Sequence, residues 1–245
     1  CPDQRSVDFV VGSPKRLPSG LNEITIYTPV LNPVLELRIG LDDGAALSAP
    51  APHVVEKPIL FYGSSITQGF CASRPGLTYP AIICRNLDAH LINLGFGGNA
   101  RGDLEVAEAI AGLDLACLVL DYDHNTPSVE FLRQTHAPFF RVIREAHPDL
   151  PVVMVTSPAY RADLAYFGER ARVILDTYEQ AKAAGDRHLY FVHGGMLLPE
   201  PWQDSTVDCL HPNDAGFRAM AAGIMPAIRL ALTDQGGTNI GELPS

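Results

Sequence analysis

The chain has 245 residues, 47% of them hydrophobic and 19% charged, enough to build one sizeable core. Its formal net charge of -10 works against nucleic acid, whose phosphates it would repel, and it offers no polybasic segment to an anionic membrane. No uninterrupted apolar run reaches the roughly 20 residues that span a bilayer, so no membrane span is expected.

In chain order, residues 7–11, 23–27 and 34–39 alternate in polarity between Pro, Gly and Asn breaks and read as strands. Residues 42–56, with Asp42-Asp43-Gly44, Pro50 and Pro52, read as a linker. The expectation is a β-rich N-terminal segment over 1–56, followed by a larger unit over 57–232 and a tail over 233–245. In the larger unit, strands at 59–62, 90–94, 116–120, 151–156 and 188–192 alternate with helices at 79–87, 104–111, 129–146, 164–184 and 215–232. Pro226 is expected to break or kink the last of these. Such alternation signals a three-layer α/β/α fold around a central, mostly parallel five-stranded sheet.

Five cysteines (Cys1, Cys71, Cys84, Cys117 and Cys209) are an odd number without metal-ligand spacing. Together with the absence of a basic-then-apolar leader, they favour free thiols and a cytoplasmic setting. The chain starts at Cys1 rather than Met, which is expected of a sequence with residues removed or left out; a lipid on Cys1 is a second reading.

Two fragments carry the chemistry. The apolar run 58–62 ends directly at Gly63-Ser64-Ser65-Ile66-Thr67-Gln68-Gly69, which places Ser65 just beyond a buried strand, where open α/β sheets hold their sites. Far along the chain lies Asp208-Cys209-Leu210-His211. A serine hydroxyl needs a histidine to take its proton, and that histidine needs a fixed tautomer, so Ser65, His211 and Asp208 can serve as nucleophile, base and orienting acid. Each fragment alone also reads as a turn or a helix cap.

Two further segments follow strand ends and are expected at the same sheet edge. Asn93-Leu94-Gly95-Phe96-Gly97-Gly98-Asn99 lets the backbone approach a ligand, and Asp121-Tyr122-Asp123-His124-Asn125 ends in an amide donor. The N–H groups of Ser65 and Gly98 and the Asn125 amide are the candidate oxyanion donors. The glycine segment also reads as a tight strand-to-helix turn, and Asn125 as a helix-initiating residue ahead of Pro127. Arg74, Arg101 and His193 are candidate substrate contacts, with solvated arginines and a structural histidine as the alternatives. Asp121, Asp123 and His124 are too close in sequence to converge on a metal, and no metal or cofactor is expected.

These blocks, in this order, resemble the SGNH hydrolases, also called GDSL-like esterases and lipases. Ser64 stands where the family's first block usually has aspartate. Asn93-x-Gly95-x-x-Gly98 resembles the second block, Asp121 to Asn125 the third only loosely, and Asp208-x-x-His211 the fifth. The resemblance implies Ser65 as nucleophile, Gly98 and Asn125 as oxyanion donors, and a β-sandwich module ahead of the catalytic domain, as in a branch with carbohydrate esterases and an acyltransferase. It implies a serine esterase acting on short acyl esters, acetyl above all, of a carbohydrate or other small polar alcohol. An acyltransferase with the same triad, and a carbohydrate-binding or scaffold protein with an inactive domain, are the alternatives.

Overall fold

The computed structural model describes residues 20–161 and 163–234. Five strands alternate with helices: β1 (Val55–Gly63), α1 (Ser65–Gln68), α2 (Tyr79–Leu87), β2 (Ala89–Gly95), α3 (Leu104–Ala111), β3 (Cys117–Asp121), α4 (Val129–Ala146), β4 (Val152–Val155), α5 (Leu164–Ala183), β5 (Leu189–Val192) and α6 (Asp214–Thr233). The strands form one sheet in the order β2-β1-β3-β4-β5, and every neighbouring pair is parallel.

Side chains that alternate along each strand explain the three layers. Leu60, Tyr62, Leu118, Leu120, Val152 and Met154 face the cluster that receives α3, α4 and α5. Ile59, Phe61, Cys117, Val119, Val153 and Val155 face the opposite cluster, built with α2 and α6. Burying each large apolar side chain contributes about 1.5–3 kcal/mol relative to leaving it exposed, so both faces must be covered.

The expected elements are all present in this unit, with three differences. First, β1 begins at Val55, inside the stretch read as linker, because Val55 donates to the Asp88 carbonyl at 3.1 Å and pairs with Ala89. A register shift between Val55 and Ile59 hides this start from the alternation pattern. Second, α6 is assigned as one helix straight through Pro226. The carbonyl that loses its partner belongs to Ala222, which is exposed and open to water. Third, α6 is by length and composition apolar enough to cross a membrane. Its Phe217, Met220, Ala221, Ile224 and Ile228 are instead buried against the sheet.

The N-terminal expectation fares differently. Residues 20–54 contain no strand, so 23–27 and 34–39 are corrected; 7–11 lies outside the described residues. A strand needs a neighbour to take its N–H and C=O groups, and Leu35, Leu37 and Ile39 are all more than half exposed with no ladder beside them. The segment is held by side chains: Arg85 donates to the Tyr27 hydroxyl at 3.1 Å, and Gln68 to the Val30 carbonyl at 2.9 Å.

Topology positions the site. The chain leaves β1 for β2 on one side and returns to β3 on the other, so the order in which the parallel strands are added reverses between β1 and β3, and a crevice opens at their C-terminal ends. Gly63 of β1 pairs with Asp121 of β3 at that point. The Asp121 carboxyl is fully buried there, and its Oδ2 accepts from the hydroxyls of Tyr79 and Thr67 at 3.0 and 3.2 Å.

Burial pushes the Asp121 carboxyl up to about 6, opposed by His124 and the two hydroxyls and reinforced by Asp123. Its folded value lies above its unfolded value, so this group favours folding below about pH 4, and the contribution is lost as pH rises through 6, on the order of 2 kcal/mol. Asp121→Asn cannot ionise. In urea unfolding from pH 4 to 7, the stability difference between D121N and wild type is expected to move in favour of the variant by that amount; a pH-independent difference contradicts it.

Candidate active site

Helix α1 is seated directly on the sheet edge. The Ser64 hydroxyl caps it by accepting from the Ile66 N–H at 3.1 Å, and the Ser64 N–H donates to the Asp121 carbonyl at 3.2 Å. Ser64 therefore serves as the cap of α1, and it is buried. A Cβ on Gly63 would overlap the Thr67 side chain and the Asp121 carbonyl, and one on Gly95 would overlap the Gln68 backbone. Both positions must be glycine for the helix to come this close. Ser65 opens the helix, and its Oγ lies 2.9 Å from His211 Nε2.

The histidine comes from the turn before α6. Asp208 Oδ1 accepts from the Leu210 and His211 N–H groups at 3.1 and 2.7 Å, while Oδ2 lies 2.7 Å from His211 Nδ1. Partial burial alone would raise the Asp208 carboxyl; the His211 and Leu210 hydrogen bonds outweigh it and hold the group down to about 2. An ionised carboxylate at Nδ1 keeps the proton on that nitrogen and leaves Nε2 to accept from Ser65. Phe70 packs edge-on against the His211 ring, with 4.7 Å between centroids. Ser73 donates through its N–H and hydroxyl to the Asp214 carboxylate at 2.9 and 2.6 Å, which ties the loop after α1 to the start of α6.

Across the crevice, Gly98 has φ +73°, a left-handed conformation that favours glycine. Asn125 ends a single turn of 3-10 helix, Asp123–Asn125, and its Oδ1 accepts from the Ala100 N–H at 3.4 Å. The Ser65 N–H, the Gly98 N–H and the Asn125 Nδ2 have no hydrogen-bond partner among the described residues. Three donors on segments that meet at one sheet edge are what an oxyanion requires.

Buried charge holds the Asn125 turn. Asp123 Oδ2 accepts from the Ser157 N–H at 2.9 Å, and Oδ1 lies 2.9 Å from His124 Nδ1. Burial lowers the His124 imidazole, but Asp123 and Asp121 outweigh it and raise it overall. Arg170, almost fully buried, donates to the Asp123 carbonyl at 2.8 Å and to the Thr126 hydroxyl at 2.5 Å.

Of the three candidate substrate contacts, Arg74 is exposed beside the Ser73–Asp214 clasp, and its charge helps hold the Asp214 carboxyl below its usual range after the Ser73 hydrogen bonds. Arg101 donates to the Gly98 carbonyl at 3.4 Å. His193 caps the turn Gly194–Met196, with Nδ1 accepting from the Gly195 N–H at 3.2 Å. Sequence reasoning missed Arg170, Phe70, Asp214 and the paired hydroxyls of Thr67 and Tyr79, since each acts through contacts between distant segments. Asp214, at the first position of α6 and three residues after His211, was the one with a local signal.

Replacing Arg170 tests how far the Asn125 turn depends on it. Arg170→Met leaves the Thr126 hydroxyl without its buried donor and the Asp123 carbonyl with the Thr126 hydroxyl alone, an expected loss of about 2–4 kcal/mol. Urea unfolding at neutral pH measures it; a loss below about 1 kcal/mol contradicts the assignment.

A family model for the GDSL-like lipase/acylhydrolase family matches residues 56–229. A Bacteroides ovatus protein assigned as a GDSL-like lipase superposes with TM-score 0.67 at 32% identity, over 73% of this chain and 54% of that one. The salicylyl acyltransferase SsfX3 of a tetracycline biosynthetic pathway gives 0.62 at 22%, over 74% and 55%. A family two carbohydrate esterase from Clostridium thermocellum gives 0.58 at 18%, over 76% and 67%. The chain spans about half the length of the first two. No curated protein matches it. With its five-stranded parallel sheet, its ordered blocks and a family match across most of its length, the chain belongs to the GDSL-like lipase/acylhydrolase family of SGNH hydrolases.

Proposed function

We propose that this protein is a serine ester hydrolase that removes short acyl groups, acetyl above all, from a carbohydrate or another small polar alcohol. The observation that carries the reading is the continuous hydrogen-bonded line from Asp208 through His211 to Ser65, at 2.7 and 2.9 Å.

In the first step Ser65 Oγ bonds to the ester carbonyl carbon while His211 Nε2 takes the hydroxyl proton. Negative charge moves onto the carbonyl oxygen, where the Ser65 and Gly98 N–H groups and the Asn125 amide receive it. Collapse breaks the bond to the alcohol oxygen, and His211 returns the proton to that leaving group. Water then bonds to the acyl carbon as His211 takes one of its protons. The second collapse frees the carboxylic acid and returns the proton to Ser65. Asp208 stays ionised throughout, its carboxyl being held near 2, and stabilises the imidazolium of both steps.

Exposure supports the substrate class and the choice of water as acceptor. The Asp208 side chain is 47% exposed, and Phe70, which packs on His211, is also open to solvent. A triad at the surface suits an ester displayed on a larger polar molecule and admits water to the acyl-enzyme. Carbohydrate esterases and an acyltransferase share this fold, so the acceptor is decided by product analysis rather than by fold.

The experiment is hydrolysis of aryl acetate and acetylated sugars. Ser65→Ala is expected to lower kcat by about 1,000-fold or more while the protein stays folded. Near-wild-type turnover by S65A overturns the assignment, and an acyl-alcohol product formed in place of free acid assigns the protein to acyl transfer. Asn125→Ala is expected to lower kcat about 100-fold with KM little changed, as loss of one oxyanion donor does; an unchanged kcat removes Asn125 from the site.

A further inference from the structure

Between Gly95 and Ala100, the backbone donors are allotted with one exception. The Gly95 N–H goes to Asn93 Oδ1 at 2.9 Å, Phe96 to the Gly63 carbonyl at 2.8 Å, and Gly97 to Gln68 Oε1 at 3.0 Å. Asn99 and Ala100 donate to the Phe96 carbonyl at 2.9 and 3.1 Å. The Gly98 N–H alone in this run has no partner among the described residues. Which peptide of the loop is left to face the crevice is therefore set by how its neighbours are held.

Gln68 holds the nearest of them. It ends α1, one helical turn from Ser65, and a Cβ on Gly97 would stand 2.8 Å from Gln68 Oε1 and 3.5 Å from Ser65 Cβ. The other end of the same amide, Nε2, donates to the Val30 carbonyl at 2.9 Å. A carbonyl can only accept and an N–H can only donate, so Val30 and Gly97 agree on one orientation of the Gln68 amide, and a flip would break both bonds. The Gly97 carbonyl, which shares its peptide with the Gly98 N–H, accepts from Asn99 Nδ2 at 3.2 Å. Gln68 thus holds the preceding peptide, Phe96–Gly97, and Asn99 holds the carbonyl of the Gly97–Gly98 peptide itself, so Gly97 is fixed from both sides.

We infer that Gln68 is a positioning residue for the oxyanion site, fixing the Gly97–Gly98 peptide so that the Gly98 N–H faces the reacting carbonyl, and that Val30 sets the amide that does so. The inference rests on the ester-hydrolase reading above and extends it. Two consequences follow. The nucleophile and an oxyanion donor are carried by one rigid unit, because α1 supplies both Ser65 and the side chain that anchors the loop. The segment 20–54 takes part in catalysis without touching the substrate, through a single carbonyl.

Two measurements on the full chain test it, with Ser65→Ala as control. Gln68→Met keeps length and volume but can neither accept from Gly97 nor donate to Val30; Gln68→Asn keeps the amide on a shorter stem and carries the same expectation if Q68M folds poorly. The first measurement is amide hydrogen exchange. Gly97 is expected to exchange at least about 10-fold faster in the variants, and unchanged protection overturns the geometric half of the inference. The second is turnover of aryl acetate. The expected result is kcat lowered about 10- to 100-fold, less than or equal to outright loss of a donor, with KM within about 3-fold and the pH profile of kcat/KM unmoved, since Asp208 and His211 are untouched. A loss of activity that tracks the unfolded fraction, a shifted pH profile, or a kcat within about 2-fold of wild type overturns the positioning role. A wild type without Ser65-dependent turnover overturns both readings, whereas an active wild type with an undamaged Q68M overturns this one alone.

Discussion

The seating of α1 on the ends of β1, β2 and β3 is the constraint on which the rest of the site depends. A four-residue helix has no stability of its own. It persists because Ser64 caps it, the Asp121 carbonyl takes the Ser64 N–H, and two glycines let the neighbouring strands approach without side chains between them. From that seat Ser65 meets a histidine 146 residues away, and its N–H points out of the first turn without an intrahelical partner. A helix displaced by the width of one methyl group at Gly63 or Gly95 would lose the hydroxyl-to-imidazole distance that the chemistry needs.

Two carboxylates near this helix are tuned in opposite directions, and the contrast follows from their surroundings. Asp208 is half exposed and takes two backbone N–H groups besides the imidazole, so its charge is favoured and its carboxyl stays near 2. Asp121 is sealed beneath α1 with two hydroxyls for donors, and burial takes it up to about 6. The first is suited to stabilising a transient imidazolium. The second is suited to holding α1 through Thr67 and Tyr79, at a cost to stability once it ionises. The sequence distinguishes them by place: one lies in an Asp-x-x-His turn, the other at the end of an apolar strand.

Much of this was legible in the chain. Alternating strands and helices gave the sheet, and the ordered glycine, asparagine and histidine blocks gave the residues that the fold gathers at one edge. Ser65, Asp208 and His211 could be singled out because each sits in a short motif, and the fold brings the three within hydrogen-bond reach. What was not legible depends on contacts between distant segments. Arg170 looks like any helical arginine until the turn 123–126 folds beneath it, and Gln68 looks like a loop glutamine until Gly97 and Val30 arrive at its two ends. Polarity alternation misled at 23–27 and 34–39, since a pattern suited to a strand becomes one only when another strand lies alongside.

The central claim is that Ser65 is the activated nucleophile of an acyl-transfer site, and covalent capture tests it most directly. A short alkyl organophosphonate, incubated with the folded protein and followed by peptide mapping, reports which side chain attacks. The account predicts one adduct per chain, carried by Ser65 and abolished by unfolding. An adduct on Ser64 or elsewhere, or none on folded protein, would contradict it.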